Sequence, residues 1–172
     1  MKSHHKNSER FVSKVFKDVF DKYDLMNDLM SLGIHRLWKR EFIYWLNPQK
    51  NTKLLDVASG TGDIAKLYLE KINYIGLAYC LDENKEMLKL NKGKFKNNSN
   101  VKWFCNNAEK LPFKKNYFDY YTISFGIRNV NSINNTLKEA YRVLKPGGRF
   151  LCLEFSKVNN EILNKFYKNY SK

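Results

Sequence analysis

The sequence predicts an α/β fold, a parallel sheet with helices on both faces, and three observations carry that prediction. From Lys53 onward, short apolar runs alternate with amphipathic stretches of helical period. A glycine-rich turn, Ser59-Gly-Thr-Gly62, joins the first of those runs to its helix. An aspartate, Asp82, closes the second run, twenty positions beyond Gly62. Sheets of this kind take their ligands in the crevice beyond the carboxyl ends of the strands.

Each element follows from local pattern. Phe11, Val12, Val15, Phe16, Val19, Phe20 and Tyr23 recur at helical spacing, with Lys14, Lys17, Asp18 and Lys22 between them, as in an amphipathic helix. A second helix is expected from about Gly33 through Trp45, ending at Asn47-Pro48 because proline disfavours helix in the residue before it. Lys53–Val57 reads as a buried strand and Asp63 to about Lys71 as its helix. Tyr74–Leu81 is the second strand, and Asn84 caps a helix through Phe95. Val101–Cys105 and Phe118–Ser124 are the third and fourth strands. A helix from Ser132 to Leu144 stops at Lys145-Pro-Gly-Gly148. Arg149–Phe155 is the fifth strand, and a last helix starts near Asn159. Positions 1–50 form a helical segment expected to cap the site, and 51–172 the α/β core.

The 172 residues suffice for one domain, and 43% hydrophobic with 28% charged residues is a globular composition. No apolar run approaches the length that crosses a membrane as a helix. The +14 net charge raises nucleic acid and anionic membranes as partners. Lysine recurs along the whole chain rather than in one block, so the excess reads as solvated faces. Three cysteines (Cys80, Cys105, Cys152) at wide spacing, with no histidine near them, argue against zinc or a disulfide framework, and no metal site is expected. Each lies in an apolar run, where cysteine behaves as a small buried hydrophobe. The polar start, Met1–Asn7, is not a secretory signal.

The chemistry centres on Asp56-Val-Ala-Ser-Gly-Thr-Gly-Asp63. Gly60 and Gly62 permit a tight turn and close approach to a ligand, and Asp82 is placed to take both hydroxyls of a ribose. Gly60, Gly62 and Ala65 also satisfy a dinucleotide fingerprint, but there a diphosphate rests on the helix N-terminus. Here Asp56 and Asp63 would flank that anion with carboxylates. S-adenosylmethionine, with free ribose hydroxyls, a sulfonium, an ammonium and no phosphate, suits such a loop better. Asn107-Ala-Glu109 could read an adenine edge, and Ser124-Phe-Gly-Ile-Arg-Asn129 lies where reacting groups sit in this architecture.

Two longer segments make the chain resemble the ubiquinone/menaquinone biosynthesis C-methyltransferase family. Tyr23–Trp38 is similar to its N-terminal signature in the elements Tyr-Asp-x-Met-Asn and His-x-x-Trp. Arg142–Ser156 is similar to its second signature, through Lys-Pro-Gly-Gly and the trailing Glu154 and Ser156. The resemblance implies the Rossmann-like parallel sheet of class I S-adenosylmethionine-dependent methyltransferases, here with about five strands and the C-terminal strands missing. It also implies C-methylation of a polyprenylated methoxy-benzoquinol in ubiquinone biosynthesis. The expected cofactor set is Asp56, Ala58, Gly60, Thr61, Gly62, Asp82, Asn107, Ala108 and Ser124. Where the family more often has Ala-Gly-Gly, this chain has Ala58-Ser59-Gly60.

For catalysis, His35 is the candidate base and Arg128 a donor that stabilises a developing phenolate. Ser156-Lys-Val-Asn-Asn160 looks closest to mitochondrial members, which implies a peripheral location on the matrix side of the inner membrane. Expected partners are the quinol, other ubiquinone-biosynthesis proteins, a homodimer mate and an anionic membrane met by Lys85, Lys89, Lys92, Lys94 and Lys96. Two alternatives stay open: a nucleic-acid methyltransferase using the basic surface, and a cofactor-binding fragment without turnover.

Overall fold

Leucines at 54 and 55 lie side by side in β1 (Thr52–Val57), and both are fully buried, as only a central strand covered on both faces allows. A computed structural model describes residues 34–95 and 98–155, with the side chains of 90–94 left out. The proposed first and last helices, most of the N-terminal signature, Ser156–Asn160, and the side chains of Lys92, Lys94 and Lys96 fall outside the described residues. Ahead of β1 runs α1 (His35–Leu46). After it come α2 (Asp63–Lys71), β2 (Gly76–Asp82), α3 (Lys85–Lys94), β3 (Val101–Cys105), β4 (Phe118–Ser124), α4 (Ile133–Val143) and β5 (Leu144–Leu153).

All strand pairs are parallel, in the order β3-β2-β1-β4-β5. This is the expected five-stranded α/β sheet. Successive side chains of a strand face opposite ways, and the core divides accordingly. Leu54, Ala78, Cys80 and Tyr120 pack with Phe42, Ile43 and Leu46 of α1 and Ile64, Tyr68 and Leu69 of α2. Leu55, Val57, Tyr79, Leu81, Tyr121 and Ile123 pack on the other face with Ala140 and Val143 of α4. The chain reverses direction across the sheet between β1 and β4, so a crevice opens at their carboxyl ends.

Several boundaries move for local reasons. α1 ends at Asn47, whose left-handed backbone (φ 44°) turns its N–H back onto Ile43 and Tyr44, one residue before the proline acts. β2 starts at Gly76 rather than Tyr74, because Asn73 and Tyr74 are both left-handed and break the extended run. Asn84 caps α3 as expected, its Oδ1 accepting the N–H groups of Glu86 and Met87. Ser132 does the same for α4. Lys-Pro-Gly-Gly stops that helix, yet it lies inside β5, which begins at Leu144. The register passes from Phe118↔Leu144 to Tyr120↔Arg149, so residues 145–148 bulge opposite Asp119, with Lys145 Nζ 2.6 Å from Asp119 Oδ1. Cys80 is buried, but Cys105 and Cys152 are exposed, because they lie near the carboxyl ends of the two edge strands among those described.

Candidate functional site

At the tip of β1 the carboxyl of Asp56 is buried, and its Oδ1 accepts a hydrogen bond from Thr122 Oγ1 of β4 at 2.8 Å. Its other oxygen has no partner among the described residues. Burial pushes this carboxyl up to about 7; the Thr122 bond and Lys39 pull it down, and Asp63 and Asp82 push it further up. The backbone then coils through left-handed positions at Ala58, Gly60 and Gly62. Ser59 is not left-handed, which is why a serine serves where the family more often has glycine.

Asp82 ends β2 and organises the loop from the other side. Its Oδ2 accepts the Gly60 N–H and its Oδ1 the Asn84 N–H, both at 2.9 Å. Each oxygen keeps a second lone pair for a ligand. Lys39 of α1 reaches Asp63 at the start of α2, with Nζ 2.7 Å from Oδ2. Past β4, Phe125 adopts a left-handed backbone and stacks on Phe155 at 4.8 Å. A Cβ on Gly126 would stand 2.4 Å from the Cβ of Ala58, so the loops after β1 and β4 touch where only glycine fits.

Together these loops enclose a cavity of about 310 Å³ at the switch between β1 and β4. Of the expected cofactor residues, Asp56, Ala58, Gly60, Thr61, Asp82, Ala108 and Ser124 line it. Gly62 and Asn107 do not. Gly62 opens α2 against Trp103 and Phe95, where an added Cβ would come within 3.0 Å of the indole. Asn107 spends its Oδ1 on the N–H of Glu109, and its neighbour Asn106 lines the cavity in its place. Phe125 and Asn129, from the segment after β4 that the sequence pointed to, also line it, as do Lys39 and Met87, which were not singled out. For Lys39 a signal existed, one turn after His35 on the same helix, but its partner Asp63 is 24 residues away.

Neither expected catalytic residue lines the cavity. His35 is buried in the first turn of α1 and does not open to the crevice. Arg128 lies in a short 3₁₀ turn, Ile127–Asn129. Its Nη1 is 2.6 Å from Glu154 Oε1, and its guanidinium lies over the Phe155 ring at 5.5 Å. No group of histidine, cysteine and acidic side chains suited to a metal occurs among the described residues.

The cavity fits S-adenosylmethionine on its own terms. Asp56 Oδ2 and Ser124 Oγ, on residues that line it, are buried polar atoms without partners among the described residues. Among the described residues, the acidic side chains of Asp56, Asp63, Asp82 and Glu83 border it against the single ammonium of Lys39. A diphosphate would meet repulsion there.

Comparison with known proteins gives the same direction. Over 166 residues the chain is 57% identical to the ubiquinone/menaquinone biosynthesis C-methyltransferase UbiE of Rickettsia typhi, covering 93% of this chain and 66% of that protein. It is 55% identical over 169 residues to the UbiE protein of Rickettsia bellii, covering 95% of this chain and 68% of that one. The chain thus spans about two thirds of the length of these curated relatives. They are bacterial, and the expected mitochondrial address finds no support among them. Among solved structures, a SAM dependent methyltransferase from Aquifex aeolicus shares the fold, with a TM-score of 0.66 at 22% identity over 84% of this chain and 75% of that one. The YcgJ protein from Bacillus subtilis matches with a TM-score of 0.63 at 26% identity, over 74% of this chain and 54% of that one. The ubiE/COQ5 methyltransferase family profile matches residues 3–172, and the chain belongs to that family.

Proposed function

We propose that the chain binds S-adenosylmethionine and serves methyl transfer to a ring carbon of a polyprenylated benzoquinol in ubiquinone or menaquinone biosynthesis. The observation that carries this reading is the acid-lined cavity at the β1/β4 switch, with its unpartnered Asp56 oxygen. Asp82 would hold the ribose hydroxyls, Ala108 and Asn106 the adenine end, and Asp56 with the Gly60 loop the amino-acid end. Bound there, the cofactor supplies an electrophilic methyl on a sulfonium. The family relatives named for ubiquinone/menaquinone C-methylation support the acceptor class.

The chain's own residues would align and exclude water rather than form bonds. Phe125 and Phe155 give the acceptor side an aromatic wall. Arg128 stays charged, so it would act as a donor to the acceptor oxygen rather than as a base. Glu154 holds that guanidinium through one nitrogen, leaving its other donors for the ring oxygen as negative charge develops there. Positions 1–50 would form the cap, and α1 supplies its cavity-facing Lys39.

Calorimetric titration with S-adenosylmethionine and with NAD tests the reading. Saturable binding of the first alone is expected, and NAD binding with no response to S-adenosylmethionine would overturn it. Binding without transfer to a short-tailed quinol would limit the chain to a cofactor module.

A further inference from the structure

We propose that the outer face of α1 is a docking surface for an anionic lipid bilayer, and that it brings the cavity mouth to the membrane. The inner face of this helix is ordinary core: Phe42, Ile43 and Leu46 pack on α2 and the sheet. Its outer face is apolar as well. Leu37 is 57% exposed, Tyr44 68% and Trp45 75%, with Ile34 and Trp38 beside them. At 100° per residue Tyr44, Leu37, Ile34, Trp45 and Trp38 fall on one continuous arc, interrupted by Glu41 alone. Exposed tryptophan and tyrosine beside aliphatic side chains are the composition that settles at a headgroup boundary.

Charge selects the occupant. Arg40 and Lys50 are exposed on the same helix and its exit. Arg149 gives one N–H to the carbonyl of Leu46 at the C-terminus of α1 and shares a shallow cleft with Tyr44, Trp45 and Asn47. A guanidinium with spare donors beside two aromatic rings suits a lipid phosphate. With Arg40, Lys50 and Arg149 around this face and a chain net charge of +14, an anionic surface is favoured over a neutral one. No helix among the described residues is long and apolar enough to cross a membrane, so the contact lies at the surface.

The same face leads inward. Trp38 meets the edge of Phe155 at 5.8 Å, Phe155 stacks on Phe125, and Phe125 lines the cavity. An apolar path therefore joins the lipid-facing helix to the reacting end. The biological sense of this surface rests on the quinol reading above, since a polyprenyl acceptor resides in lipid. The surface also differs from the lysines of α3 that the sequence suggested, because Lys89 pairs with Glu86 on its own helix.

Vesicle binding with bromine-labelled acyl chains tests it. Vesicles of phosphatidylglycerol and phosphatidylcholine should pull the protein down, and bromines should quench its tryptophan fluorescence; pure phosphatidylcholine should do much less. Leu37→Glu and Trp45→Glu should each lower the partition by about tenfold or more, with calorimetric S-adenosylmethionine binding unchanged. Lys85→Glu with Lys89→Glu should leave it within about twofold. Absence of sedimentation with the anionic vesicles would overturn the proposal. So would sedimentation without quenching, or a dimer in sedimentation velocity that Leu37→Glu dissociates, which would give this face to a second copy. Vesicle binding that persists in a protein unable to bind S-adenosylmethionine would sink the methyltransferase reading and leave the docking surface standing.

Discussion

Replacing Asp56 by asparagine should stabilise the ligand-free protein and weaken its hold on a cationic cofactor at the same time. In the fold this carboxyl sits at about 7, against 3.8 when unperturbed, and burial is the main cause. A folded acid with a raised value binds its proton more tightly than the unfolded chain does. Its stability contribution is therefore complete below 3.8, falls as pH rises, and reaches its full penalty above 7. The difference of about three units corresponds to a penalty on the order of 4 kcal/mol at pH 8 and about 2 kcal/mol at pH 5. Asparagine keeps an oxygen for Thr122 Oγ1 but carries no charge, so Asp56→Asn should remove that slope. Urea unfolding without cofactor, at pH 5 and pH 8, reads the stability arm. Calorimetry with S-adenosylmethionine reads the other: a loss of about 1.5–3 kcal/mol in the variant, and a wild-type affinity that declines by up to about tenfold per unit below pH 7. Parallel stability slopes for the two proteins, or a wild-type affinity flat from pH 6 to pH 8, would refute the reasoning.

Asp82→Ala removes the acceptor of two backbone N–H groups and the ribose-facing carboxylate, so calorimetry should show cofactor affinity reduced by about 1.5–3 kcal/mol or more. Gly126→Ala forces a methyl into the Ala58 side chain and should cost about 1–3 kcal/mol in thermal or urea unfolding. Ala58→Gly in the same chain should recover part of that loss, and a double variant no better than the single one would count against the contact. For Arg128→Lys in a version with the length of the curated relatives, single-turnover transfer to a short-tailed quinol should fall about 10²–10³-fold with cofactor affinity preserved. Unchanged turnover would make Arg128 a structural partner of Glu154.

Local pattern made much of the fold legible. β3, β4 and α2 lie at their expected residues, because clear turn or cap signals bound each apolar or amphipathic run. Where the run continued into a turn, as at Tyr74, composition could not reveal that the backbone there is left-handed. Nor could Lys-Pro-Gly-Gly announce that it would stop a helix and bulge within the following strand, since Asp119 of a neighbouring strand receives it. In the site, Asp56, Gly60 and Asp82, read from loop spacing, meet around one cavity. Asn107 was singled out and Asn106 was not; local pattern could not show that the turn occupies the Asn107 Oδ1 while Asn106 lines the cavity. His35 and Arg128 were chosen for their chemistry alone. The structure buries His35 away from the cavity and pairs one nitrogen of Arg128 with Glu154, neither of which a single residue's chemistry announces.

The bond from Thr122 to Asp56 spans 66 positions of chain, and that distance sets the timing of assembly during synthesis. At roughly 5–20 residues per second, the glycine loop leaves the ribosome several seconds before the strand that completes its far wall. Throughout that interval Asp56 remains wet and ionised, and β1 has only β2 to pair with. Only once β4 is made can the acid be buried, Gly126 meet Ala58 and the cavity close. A ligand that binds only the closed form draws every newly made chain toward it by mass action. A cationic ligand present during translation would also relieve the charge that closure buries, and so favour folding before any chemistry begins.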